Sequence, residues 1–154
     1  MDMVPKIVAA TTEIFETMLM MSAKAGEPLV DKMRPFKRSV SGIIGMAGLY
    51  KGMLAIHLPE HVAMAITSNF LGMEVDQINA DVQDAVGELA NMLGGSLKTA
   101  LSDNGKDIQL SIPSAVCGSE YTLDCSTNKT SGVFVPFALP EGDFLVELQI
   151  QKQG

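Results

Sequence analysis

The stretch ADVQDAVGELANMLGGSLKTALSDNG, residues 80–105, decides how the rest of the chain is read. Val82, Val86, Leu89, Leu93, Leu97 and Ala100 recur at intervals of three and four. At about 100° per residue they fall within an arc of roughly 80°, a continuous apolar seam. The spacing predicts a long helix from Ala80 to Asn104, with Gly105 as its stop. Beyond Gly105 the period changes to two. Ile108 to Ile112, Glu120 to Ser126, Ser131 to Ala138 and Phe144 to Ile150 then read as strands. Gly118-Ser119, Asn128-Lys129 and Pro140-Glu141-Gly142 supply turn chemistry between them.

Upstream, Ile7, Val8, Ile14, Phe15, Met18, Leu19 and Met21 give one apolar face to a predicted helix from Val4 to Ala25. Pro5 falls in its permissive first turn and Gly26 at its end. Phe36 to Met46 and Leu49 to Leu58 form a predicted hairpin about Ala47-Gly48, with Tyr50, Leu54, Ile56 and Leu58 on one parity. A second helix opens at Pro59, carries Val62, Ala65, Ile66 and Phe70, and ends at Gly72. Short links between consecutive strands imply a mostly antiparallel sheet whose exposed apolar face the three helices must cover. The expected fold is therefore α+β, a two-layer sandwich. With no repeats and no linker, residues 1–154 are expected to form a single domain.

Composition narrows the partners. Eighteen Asp and Glu outweigh eleven Lys and Arg, for a formal net charge of −7. Gly52 to Leu97 contains six carboxylates and no Lys or Arg, and the densest basic stretch is only Lys32, Arg34, Lys37 and Arg38. Nucleic-acid binding, which needs clustered cations, is not expected. Neither is a membrane span, because no apolar run approaches about 18 residues. Cys117 and Cys125 are read as free thiols of a cytoplasmic protein without a signal peptide.

Standard catalytic motifs are absent: there is no glycine-rich nucleotide loop, no metalloprotease helix and no C-x-x-C. His57 and His61 are four apart, but Pro59 breaks the shared helix that a metal pair would need. Both read as ordinary strand-end and helix-start residues. No Ser-His-Asp or Cys-His arrangement supports a small-molecule hydrolase. The eleven methionines raise the idea of an adaptable binding groove, yet most lie in apolar runs and read as core filling. The long helix stands apart. Opposite its seam, Asp84, Glu88, Asn91 and Gly95 share an arc of roughly 60°. Gly87, Gly94 and Gly95 each cost about 1 kcal/mol relative to Ala inside a helix. Close approach of a macromolecule to Glu88 and Asn91 would justify them; so would tight packing of helix on sheet.

The combination Asp84-x3-Glu88-x2-Asn91, followed after 21 residues by Pro113, is specific. At about 5% usage per residue type, four such positions coincide in roughly one chain of this length per thousand. The pattern resembles the signature of the CheX and CheC family of chemotaxis phosphatases. The wider run Asp84 to Lys98, read with Ile112-Pro113-Ser114, is similar too, and the order of elements matches along the whole chain. The first helix carries Glu13 and Glu16 but no Glu-x-x-Asn, so the single-site, CheX-like form is the nearer match.

The resemblance implies a phosphatase acting on the aspartyl phosphate of a CheY-type receiver. Asn91 would position the attacking water and Glu88 would pair with the receiver's active-site lysine. Asp84 would rim the interface, with Gly95 and Pro113 supporting it and Pro113 shaping the backbone. It also implies a homodimer, no cofactor or metal of the chain's own, and Mg²⁺ held in the receiver. The dimer is expected to join through strand edges, and Phe144 to Ile150 lacks a blocker such as Pro136. The competing expectation is a non-catalytic, CheC-like module that docks on a chemotaxis or flagellar switch component.

Overall fold

The computed structural model describes residues 3–30, 35–102, 105–123 and 131–153. Among them the order is α1 (Val4–Met18), β1 (Lys24–Ala25), β2 (Leu29–Val30), β3 (Phe36–Gly48), β4 (Tyr50–Pro59), α2 (Glu60–Leu71), α3 (Ala80–Leu101), β5 (Ile108–Leu110), β6 (Ser114–Tyr121), β7 (Ser131–Leu139) and β8 (Gly142–Lys152). The strands form one sheet in the order β1-β7-β8-β4-β3-β5, with β2 also on β7 and β6 also on β3. All of the pairings are antiparallel. The expected α+β two-layer sandwich is the observed one.

Parity explains the layers. Val40, Ile44 and Met46 of β3, Leu54, Ile56 and Leu58 of β4, and Val146, Leu148 and Ile150 of β8 are buried on the face that the helices cover. Onto it α3 lays Val82, Val86, Leu89, Leu93 and Leu97, flanked by α1 and α2. The seam departs from expectation at one position, where Ala100 is exposed and Leu101 takes the core place. Asn79 caps α3 by accepting from the Val82 N–H at 3.1 Å, an interaction worth about 1 kcal/mol. Pro59 closes β4 in extended geometry rather than entering α2, and Gly72 ends α2 in the left-handed region as predicted. No helix among the described residues is long and apolar enough to cross a membrane.

Three expectations need correction. The first helix stops at Met18, not Ala25: Met20 turns left-handed at φ 55° and the Met21 N–H donates to the Phe15 carbonyl at 2.9 Å. The chain thereby leaves the helix and supplies β1 to β7. Gly118-Ser119 is not a turn but lies inside β6, where Gly118 pairs with Ser39. Its small and polar residues suit an outer strand with little to bury; residues 124–130, including Cys125 and the Asn128-Lys129 turn, lie outside the described residues. Finally, Phe144 to Ile150 is no edge, because β8 is flanked by β4 and β7. Pro136 lies between the stretches of β7 that pair with β1 and β2, where its carbonyl accepts from the Gly26 N–H at 2.8 Å.

The second face of the sheet is not simply wetted. Ser41 Oγ lies 2.6 Å from His57 Nδ1 and 2.6 Å from the Tyr121 hydroxyl, and His57 Nε2 lies 2.8 Å from Glu147 Oε1. Gln149 Nε2 donates to the other Glu147 oxygen at 3.1 Å. Arg38, left-handed at φ 46°, precedes this region, and Phe36 beyond it stacks on the imidazole with ring centroids 4.0 Å apart. Ser41, His57, Glu147 and Gln149 are all buried. Burial pushes the Tyr121 phenol above its usual pKa of 10.0, against a smaller downward pull from its Ser41 hydrogen bond and a small upward push from Cys117.

Candidate functional site

Helix α3 lies close against the sheet at two glycines, one of which leaves no space for a Cβ. A Cβ on Gly42 of β3 would stand 2.5 Å from the Val86 carbonyl oxygen, and one on Gly94 would stand 3.1 Å from Ile44 Cγ2. Gly87 is also buried, but a Cβ on it would meet Pro113 Cβ at an ordinary 3.9 Å, and one on Gly95 would meet open space. The glycines therefore divide: Gly94 serves close packing on the sheet, Gly87 is buried with space for a methyl group beside Pro113, and Gly95 leaves bare outer surface.

The opposite side of the helix presents the predicted residues together. Asp84 and Glu88 are exposed and Asn91 and Gly95 are half-buried. The side chains of Glu88 and Asn91 make no hydrogen bond or ion pair with any described residue, so their polar atoms are uncommitted. Beside them runs an open groove of about 400 Å³ lined by Gln83, Asp84, Gly87, Glu88, Pro113, Ser114 and Ala115. Pro113 is fixed there by Ser111. The Ser111 hydroxyl accepts from the Gly45 N–H at 2.8 Å, and the Ser111 N–H donates to the Gly45 carbonyl at 3.0 Å. On the far wall Gln83 Nε2 approaches Cys117 Sγ at 3.1 Å. Asn91 and Gly95 lie farther along α3, outside the groove lining.

Among the described residues no three His, Cys, Asp or Glu side chains converge as a metal-ligand set. His61 is exposed on α2, while His57 belongs to the buried polar chain on the other face. That chain does assemble a Ser-His-Glu sequence of hydrogen bonds, which linear spacing could not reveal. Ser41 is fully buried and already bonded to Tyr121, so it is not presented as a nucleophile. The residues missed by sequence reasoning are Gln83 and Ala115 of the groove and Gly42 beneath the helix; a glycine on the helix-facing parity of a strand was the available signal for the last.

The family model described as chemotaxis phosphatase CheX matches residues 40–138. The chain belongs to the CheX family. The CheY-P phosphatase CheX of Thermotoga maritima is 26% identical over 152 residues, covering 96% of this chain and 95% of that protein. A CheC-like superfamily protein from Shewanella sp. PV-4 is 30% identical, with a TM-score of 0.87 over 98% of this chain and 99% of its own. A chain of the CheX-CheY-BeF3-Mg²⁺ complex from Borrelia burgdorferi superposes with a TM-score of 0.81 at 23% identity, over 98% of this chain and 99% of its own, a likeness of fold. The CheX-family match spans β4, α2, α3, β5 and β6 with most of β3 and β7, and so contains the whole of the outward α3 ridge and its groove.

Proposed function

We propose that this CheX-family protein accelerates hydrolysis of the aspartyl phosphate on a CheY-type receiver in the cytoplasm, using Glu88 and Asn91 as the groups inserted into the receiver's active site. The observation that carries the reading is a ridge of uncommitted polar side chains on a helix seated rigidly by Gly42 and Gly94. Membership of the family, and the activity in the name of the Thermotoga maritima relative, support it.

An aspartyl phosphate is a mixed anhydride that needs little besides a water held in line with the scissile bond. Positioning of this kind contributes several kcal/mol, roughly, to a barrier of this class. The Asn91 carboxamide offers an acceptor and a donor without adding charge beside the phosphoryl group. Glu88 lies one helical turn earlier, where its carboxylate pairs with a receiver lysine and fixes the docking register. Asp84 and Pro113 border the groove and Gly95 leaves bare surface beside Asn91. The Mg²⁺ belongs to the receiver, and the reaction needs no covalent intermediate or cofactor on this chain.

A second copy has an open edge to use. β6 pairs with β3 on one side only among the described residues, and we place the homodimer contact there. Ser114 and Ala115 of that strand also line the groove, so the two protomers' sites would lie near the junction. The deciding experiment is a time course of phosphate loss from a purified phospho-receiver with and without the protein. Acceleration supports the phosphatase; stable binding without acceleration would select the non-catalytic docking module instead.

A further inference from the structure

We infer that the shared end of α1 and α2 is a docking surface for a basic amphipathic helix of a partner protein. Among the described residues, large exposed apolar side chains are few, and four of the five are found here: Met18 (54%), Met20 (85%), Leu71 (44%) and Met73 (59%). The two helix ends are tied by Asn69 Nδ2, which donates to the Leu19 carbonyl at 3.0 Å, and all four side chains lie within four residues of that bond along the chain. Apolar surface grouped in this way marks an interaction site more often than scattered residues do.

Met20 adds an independent observation. It is held left-handed at φ 55°, a conformation that L side chains avoid, while its own side chain packs against almost nothing. The turn itself is the ordinary end of α1, closed by the Met21 N–H on the Phe15 carbonyl, and it holds the Met20 thioether out in solvent. Methionine also suits the role, because its unbranched thioether repacks around differently shaped apolar partners.

Charge selects the occupant. Glu13 and Glu16 are exposed along α1, and Glu74 and Asp76 are exposed just beyond α2. Neither helix has a basic residue in its last turn, so both negative helix-dipole ends are uncompensated. The nearest described cation in sequence, Lys24, is a single exposed charge against these four carboxylates. A ligand that fits must therefore carry apolar side chains on one face and Lys or Arg around it, the helix-on-groove mode of recognition. The same acidic rim repels an anionic bilayer, which makes a membrane the disfavoured occupant. This surface lies on different elements from the α3 ridge and does not depend on the proposed hydrolysis.

The test uses the full chain labelled at the methionine methyl carbons and observed by NMR. It is titrated with a Leu/Lys amphipathic peptide of about 18 residues, long enough to form a helix on the surface. The expected result is saturable shifts of the Met18, Met20 and Met73 methyls, with buried Met46 unmoved. A Met20→Ser, Met73→Ser double variant, which removes the apolar contacts without changing the charge and is verified as folded by circular dichroism, should bind about tenfold or more weakly. Three results overturn the proposal. One is equal binding of a peptide with the same residues scrambled off a single face. Another is equal binding of the matching Leu/Glu peptide. The third is shifts centred away from this end, including shifts produced only by phosphatidylglycerol vesicles.

Discussion

Placing a methyl group under the motif helix separates its seating from its surface chemistry. In Gly42→Ala the new Cβ would meet the Val86 carbonyl oxygen at 2.5 Å and the Ala90 Cβ at 3.1 Å, both on α3. Neither can swing aside, because one is backbone and the other has no rotamers. An ordinary carbon–oxygen contact needs about 3.3 Å, so helix and strand must part by roughly 0.8 Å. Overpacking of that size costs about 1–3 kcal/mol, offset by up to about 1 kcal/mol from the stiffer unfolded chain. The net expectation is a loss of about 1–2 kcal/mol, read as a lower urea midpoint with an unchanged slope. Glu88 and Asn91 lie on the displaced helix, and misplacement approaching 1 Å is worth about a hundredfold in rate. Turnover of phospho-receiver should therefore fall far more than stability alone explains, since the folded fraction stays near unity. The matched control is Gly95→Ala, where the added Cβ meets only open space and helix propensity should raise stability by about 1 kcal/mol. A Gly42→Ala protein with wild-type midpoint and wild-type turnover would refute the idea that this glycine sets the helix position.

Other expectations follow from the same geometry. Asn91→Ala should abolish most of the acceleration while leaving receiver affinity and urea midpoint near wild type; retained turnover would remove the residue from water positioning. Glu88→Ala should weaken receiver binding as well as rate, because truncating a charge pair buried on docking costs about 2–5 kcal/mol, and titration calorimetry reads it. The Tyr121 phenol is shifted upward in the fold, so its contribution to stability is complete below the unfolded pKa near 10 and is lost as pH rises through the higher folded value. Melts taken at increasing alkalinity should show that loss, and Tyr121→Phe should flatten it. Sedimentation at micromolar concentration should give twice the single-chain mass, and a charge pair built into the outward edge of β6 should shift it toward monomer.

Much of this was written in local pattern. The six-residue seam of α3, the even parity of the β3–β4 hairpin and the Gly72 stop each depend on neighbours within a turn or two, and the fold follows them closely. Asp84, Glu88, Asn91 and Gly95 share one helix, so their common face was legible from periodicity alone. What escaped was set at a distance or against intrinsic preference. Helix α1 ends where Met20 adopts a conformation that its residue type disfavours, which no propensity foretells. Strand β6 is an outer strand of small and polar residues, and only its pairing with β3 defines it. The place of Pro113 depends on Ser111 bonding to Gly45, 66 positions earlier in the chain.

The polar chain on the far face has a consequence for how the sheet finds its one arrangement. Its members come from β3, β4, β6 and β8, and its bonds join residues 16, 80 and 90 positions apart. Apolar alternation alone tolerates a slip of two residues, because such a slip returns every side chain to its original face. A two-residue slip of β8 along β4 would keep Val146 and Leu148 inward, yet it would carry Glu147 away from His57 and leave His57 Nε2 and Glu147 Oε1 buried without each other. Each such orphan costs about 1–3 kcal/mol, a penalty that the hydrophobic layer cannot impose. Ser41, His57 and Glu147 thus work as a lock against near-miss pairings. Replacing them together with well-packed apolar residues should cost little stability while permitting shifted sheets that the natural sequence forbids.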